Sequence, residues 1–189
     1  EDYRKHYQDF IENIQPQIAP VSDKLNKKAA DSPFLDAMSN IQGYDIMIRS
    51  LRKEIEIFRE ENVPLYTEIN IETQKYAQLN GAMMVEMEGK ELTLQQAAVF
   101  LMSTDRTKRE EAYQRITERR LKDKDVLDEL FSKLINLRHR VAINAGFENF
   151  RDYMFKSLGR FDYTPKDCFD FHDAIAHEVV PILNKFSKE

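Results

Sequence analysis

Apolar residues recur every three or four positions along most of this 189-residue chain. That spacing puts one apolar stripe on each helix and limits the fold to packed helices. Tyr3, Tyr7, Phe10, Ile14, Ile18, Val21 and Leu25 form the first stripe. Pro16 and Pro20 fall inside it. Each removes an amide donor and crowds the carbonyl four residues back, so a kink or split is expected there. Asp31-Ser32-Pro33 reads as a stop and restart, with Ser32 as N-cap and Pro33 at the first helical position. Tyr44, Ile48, Leu51, Ile55 and Phe58 carry a second long helix, and Leu65, Ile69, Tyr76 and Leu79 a third. Asn62-Val63-Pro64 lies between them, so a sub-boundary is expected near residues 62–70.

The period changes to two between Met83 and Leu94. A turn at Glu88-Gly89 would pair Val85 with Leu92 and Met83 with Leu94 on one face, and Glu86 with Glu91 on the other. Helical spacing then returns. Thr93 to Met102 reads as a short helix ended by Ser103-Thr104-Asp105. Thr107 with Glu110 predicts a capping box opening a helical stretch to Ala145, broken near Asp123-Lys124-Asp125 and stopped by Gly146. Leu127, Leu130, Leu134, Leu137 and Val141 have core spacing. Asn149 to Leu158 forms another helix. Thr164-Pro165 with Asp167 starts a last one, along which Cys168, Phe171, Ile175, Val179, Ile182 and Phe186 face one way. The expected fold is mainly α, a multi-helix bundle with one β-hairpin at about Met83–Leu94.

Only 5 Gly and 6 Pro break the chain, which agrees with that fold. The longest apolar run, Ala97–Met102, is far too short to span a bilayer, and no basic-then-apolar leader is present. A single cysteine, Cys168, excludes an internal disulfide and fits a reducing cytoplasm. With 28 basic against 33 acidic side chains the net charge is -5, which argues against wholesale nucleic-acid binding. The chain begins at Glu1 and runs to Ser187-Lys188-Glu189 inside a helical pattern with no C-cap, so it reads as a piece of a longer polypeptide.

Little in the residues alone encodes chemistry. His177-Glu178-Val179-Val180-Pro181 has the start of a His-Glu-x-x-His zinc motif, but Pro181 stands where the second imidazole must be. His172 is five residues away, about 140° around a helix, and does not replace it. Asp173 and His177, four apart, read as an exposed charge-assisted pair. Arg138-His139-Arg140 flanks a helix seam, where basic side chains ordinarily snorkel. Arg106 to Lys124 holds eight basic residues against five acids counted from Asp105, with Glu111–Arg115 and Glu118–Lys122 at favourable spacing, which is the pattern of a solvated face. Phe147, Phe150, Tyr153, Phe155, Phe161 and Tyr163, interleaved with Arg151, Arg160 and Asp162, are suited either to a peptide cleft or to a packed helical corner.

Two stretches carry a family resemblance. One runs from Leu134 to Phe147 and on through Asn149-Phe150-Arg151-Asp152-Tyr153. The other covers Leu158-Gly159-Arg160-Phe161-Asp162-Tyr163-Thr164-Pro165, Asp167-Cys168, Phe171-His172-Asp173-Ala174 and Val179-Val180-Pro181. Both resemble the oligoendopeptidase F branch of the thimet-oligopeptidase zinc peptidases. The hairpin segment Glu88–Leu94 and the run from Ser103 to Ala112 are also similar to that family.

The resemblance implies the amino-terminal helical region, 1–189, of a larger cytoplasmic zinc metalloendopeptidase that hydrolyses short peptides. The family's His-Glu-x-x-His helix and later Glu ligand match no position here. No catalytic residue, metal ligand or substrate-binding residue of this chain is therefore assigned. Zinc is expected in the full-length parent and not on this chain, which by itself is expected to be inactive. The expected partners are the missing catalytic lobe of the same polypeptide and, for the parent, peptide substrates. Neither nucleic acid nor membrane is among them, and an uncovered core would leave the chain able to self-associate. The alternative is a non-enzymatic helical interaction or oligomerisation module.

Overall fold

The computed structural model describes residues 2–188 and is mainly helical, with one two-stranded hairpin among them. It divides into two compact units. The first contains the residues through Pro16 together with Val63–Arg140; the second contains Gln17–Asn62 and the residues from Val141 onward.

Helix α1 (Asp2–Asp9) passes through a π-helical turn, Phe10–Ile14, into α2 (Gln15–Ala30). The break expected at Pro16 takes this form. The π turn is centred on Glu12, whose carbonyl the Pro16 ring would strike in a regular α-helix, and the wider turn moves it aside. The same device recurs near the other end. A π turn at Ile175–Val179, centred on His177, precedes Pro181 by the same four residues and separates α10 (Pro165–Ala174) from α11 (Val180–Phe186). Pro20 lies inside α2, which is not split there.

In the first unit, α5 (Asn62–Gly81) leads into β1 (Met84–Met87) and β2 (Lys90–Thr93). Val85 pairs with Leu92 and Glu86 with Glu91, as the alternation predicts; the ladder starts at Met84↔Thr93, one step inside the expected Met83–Leu94 pair. Glu88 and Gly89 both have positive φ, 52° and 73°, the requirement of a tight two-residue hairpin turn. Thr93 caps α6 (Leu94–Ala98) in a reciprocal box with Gln96, and a 3₁₀ turn at Val99–Met102 follows. Met83, Val85, Met87, Leu94, Ala97, Ala112 and Ile116 form one buried cluster that seats the hairpin on α7 (Arg106–Lys122). Leu130, Leu134 and Leu137 of α8 (Lys124–Asn144) are buried as their spacing predicts.

The start of α7 differs from the expected Thr107–Glu110 box. Asp105 is the N-cap, its carboxylate accepting from Thr107 N at 2.9 Å, so the helix opens two residues earlier with an anion on its positive end. The break between α7 and α8 falls at Asp123, as predicted.

In the second unit, α3 (Leu35–Met38) is a single turn that starts after Phe34. Ser32 Oγ accepts from Phe34 N at 3.4 Å, and Pro33 lies in the turn before the helix, not in its first position. Helix α4 (Tyr44–Ile57) packs on α9 (Phe150–Ser157). Ile48, Ile57, Val141, Ala142, Ala145 and Tyr153 are buried here. Gly146, at φ 88°, ends α8 with the paired reverse bonds Gly146 N to Ile143 O (2.9 Å) and Phe147 N to Ala142 O (3.0 Å). Asn149 caps α9, and Thr164 with Asp167 makes a capping box on α10, both where the sequence places them.

Two stripes that have core spacing remain exposed. Tyr3, Tyr7, Phe10 and Ile14 in the first unit are open to solvent, as are Ile18, Val21 and Leu25 in the second. Phe171, Ile175, Val179, Ile182 and Phe186, along α10, the second π turn and α11, are likewise exposed. Spacing reports which residues share a face; it does not report whether anything lies against that face.

Candidate functional site

The first unit contains a groove of about 740 Å³ between α5 and α8. Its centre is a charged cluster built by helical spacing. Glu68, Glu72 and Lys75 project from one side of α5, and Lys133 reaches across from α8. Lys133 Nζ lies 2.8 Å from Glu72 Oε1 and 2.9 Å from Glu68 Oε1, and Lys75 Nζ adds a contact of 2.7 Å to the same Glu72 oxygen. Glu72 is only 4% exposed. A buried carboxylate of this kind is tolerated only when its charge is matched.

Burial pushes the Glu72 carboxyl up, but the hydrogen bonds from Lys133 and Lys75 outweigh it and hold the group below its ordinary value of 4.5. Lys133 is pushed up to about 12, first by its hydrogen bond to Glu72 and then by that to Glu68. Both shifts favour the charged forms of the pair.

His177 is exposed, and its Nδ1 lies 2.7 Å from the main-chain carbonyl of Asp173, donating to it. This replaces the charge-assisted pair with the Asp173 side chain that the i, i+4 spacing suggests, because the backbone oxygen lies within reach in the widened turn. His172 is exposed beside Phe171. Among the described residues no group of three or more His, Cys, Asp or Glu side chains is placed to hold a metal ion. The donor set here does not fit a catalytic zinc.

The basic stretch of α7 has a local structural use. Lys108 pairs with Glu88 at 2.6 Å, and Arg115 donates to the Glu86 carbonyl at 2.7 Å while pairing with Glu111 at 2.8 Å, so these side chains tie the hairpin to the helix. Arg119 pairs with Asp123 at 2.6 Å. The expected Glu118–Lys122 pair does not form. Of Arg138-His139-Arg140, only Arg140 lines the groove.

The aromatic-rich segment packs as a corner within the second unit. Phe147 meets Tyr153 edge-on at 5.6 Å, Phe155 meets Tyr163 edge-on at 5.2 Å, and Arg160 lies 5.0 Å over the Phe155 ring. Arg49 of α4 lies 4.4 Å over Phe161 and donates to its carbonyl, which joins α4 to the loop before α10. Cys168 is half-buried in the first part of α10.

Sequence reasoning did not single out Glu72, Lys53 or Asn62. Lys53, only 8% exposed, donates to the Ser157 carbonyl at 2.9 Å and pairs with Glu54 at 2.7 Å. Asn62, 1% exposed, donates to the Val141 carbonyl at 3.0 Å and accepts from Asn144 Nδ2 at 2.8 Å. The Glu68/Glu72 spacing was the one available signal, and it does not reveal the lysine that answers it from another helix.

Comparison with known proteins places this geometry. The family model described as peptidase family M3 matches residues 99–189. That segment is similar to peptidase family M3. No curated protein sequence matches the chain. Solved structures match it over nearly its whole length, beyond the M3 segment. A structure provisionally assigned as an oligoendopeptidase F covers 100% of the chain at TM-score 0.89 and 23% identity. Another such protein, from Bacillus anthracis str. Ames, covers 97% at TM-score 0.88 and 21% identity. PZ peptidase A, solved with an inhibitor, covers 98% at TM-score 0.88 and 25% identity. The chain spans about a third of the length of each, 33%, 34% and 33%. The mainly α fold with its hairpin is thus shared with these proteins, M3 segment included.

Proposed function

We propose that this chain is the amino-terminal helical scaffold of a zinc-dependent metalloendopeptidase that hydrolyses short peptides. The His-Glu-x-x-His helix and the zinc belong to a further part of the same polypeptide. The observation that carries the reading is the M3 match over residues 99–189 together with a fold likeness that takes in the whole chain but only a third of each relative. The exposed apolar residues of α10 and α11 support it. Phe171 is 64%, Leu183 56% and Phe186 69% exposed, and a helix apolar on more than one side is normally covered on more than one side. No helix among the described residues is long and apolar enough to cross a membrane.

The chemistry would be supplied by the catalytic part, where zinc lowers the pKa of its bound water to about 7. The residues described here contribute scaffold and binding surface, and no step of the reaction is assigned to them. Turnover of an internally quenched peptide separates the cases. The polypeptide from the complete native coding frame is expected to cleave it in a chelator-sensitive way, and the pure 189-residue chain is expected not to. Chelator-sensitive cleavage by the 189-residue chain would overturn this division of labour.

A further inference from the structure

We propose that the groove between α5 and α8 binds a short peptide by its two free termini, with Glu129 taking the α-ammonium and Arg140 the α-carboxylate. This rests on the oligopeptidase reading and names the form of peptide that the chain itself recognises. Glu129, Lys133 and Arg140 all line the groove from α8. Eleven residues separate the first from the last, which on an α-helix returns to the same face within about 20° and advances about 16 Å. An extended peptide rises about 3.3 Å per residue, so that distance suits one of about five residues.

The charges along this line are not equivalent. In the middle of the groove Lys133 is neutralised by Glu68 and Glu72, and Lys75 by Glu72. Glu129 and Arg140 have no ion pair among the described residues. The groove therefore offers an open anion toward one end and an open guanidinium toward the other, with matched charge and the buried Leu130 and Leu137 between them. A guanidinium presents a fork that fits a carboxylate in two parallel hydrogen bonds. The volume of about 740 Å³ is in the range of sites that enclose small ligands. A zwitterion of fixed length is the ligand that answers both open charges at once, whereas a long polypeptide presents at most one terminus to the groove.

The test is a titration of the 189-residue chain with penta-alanine, followed by amide chemical shifts, alongside the N-acetylated, C-amidated and doubly blocked forms. The free peptide is expected to shift resonances along Glu129–Arg140, and blocking either end is expected to weaken binding about tenfold, the loss of one charge-assisted contact. Arg140→Met should abolish the difference between acid and amide forms, and Glu129→Gln the difference between amine and acetyl forms. Equal binding of the doubly blocked and free peptides overturns the proposal. So does the absence of shifts up to the solubility limit of the peptide. The comparison of peptide ends on the unaltered chain stands without either variant. Cleavage by the full-length polypeptide with no binding here would end this inference alone; binding here with no cleavage would end the peptidase reading alone.

Discussion

Lys133 on α8 lies 2.8 Å from the Glu72 carboxylate on α5, a contact made across 61 residues of sequence. Glu72 is buried while Lys133 is half-exposed, so the pair brings one side of α5 into the unit without leaving a charge unmatched. With Glu68 and Lys75 it fixes the centre of the groove and leaves the open charges toward its ends.

Acid should test this pair. The folded-state value of Glu72 lies below its ordinary 4.5, so the folded chain binds that proton less tightly than the unfolded chain. The stabilisation is complete above the ordinary value of 4.5 and is lost as pH falls below it through the lowered one. Melting temperature followed by circular dichroism across that range should fall more steeply for the native chain than for Glu72→Gln. Parallel curves would show that the contact contributes nothing to folding.

Asn62→Ala removes a buried hydrogen bond to the Val141 carbonyl and a part-buried one from Asn144. The loss should cost about 1–3 kcal/mol in urea unfolding, since the buried Val141 carbonyl loses its side-chain donor. A change within a few tenths of a kcal/mol would mean that water replaces the amide.

Glu88 occupies the left-handed region at φ 52°, which costs a residue with a Cβ about 1–2 kcal/mol. Its ion pair with Lys108 is exposed on both sides and recovers little of that. Glu88→Asn, a residue that tolerates this conformation, should therefore raise stability by about 0.5–1 kcal/mol. A loss of stability in thermal unfolding would show that the pair outweighs the turn.

Gly146→Ala should lower stability by about 1 kcal/mol. An added Cβ meets no atom within 4 Å, so the cost would be that of the φ of 88° alone. Calorimetric unfolding reads it directly, and a neutral result would mean that the reverse turn after α8 relaxes.

What could be read from the sequence was local. The Val85–Leu92 register, the Gly146 stop, the Asn149 cap and the Thr164–Asp167 box each depend on residues within a turn or a hairpin, and each is where the pattern places it. The Thr107 cap went wrong for an equally local reason: Asp105, two residues earlier, offers a carboxylate where Thr107 offers only a hydroxyl. The groove was not legible, because Glu72 and Lys133 meet only once α5 and α8 are packed. Lys53 and Asn62 were hidden too. Their polarity predicts exposure, and only the carbonyls of Ser157 and Val141 make their burial tolerable. For Tyr3 to Leu25 and for Phe171 to Phe186 the spacing identified the faces correctly and could not say what lies against them.

The central claim is that these 189 residues are the scaffold of a longer M3 peptidase. The most direct measurement is the native coding frame beyond Glu189, checked by the intact mass of the protein in its source. The account predicts a polypeptide roughly three times as long, with a His-Glu-x-x-His sequence downstream. A stop codon just after Glu189, with an intact mass of 22.3 kDa, would contradict it and leave a free-standing helical module.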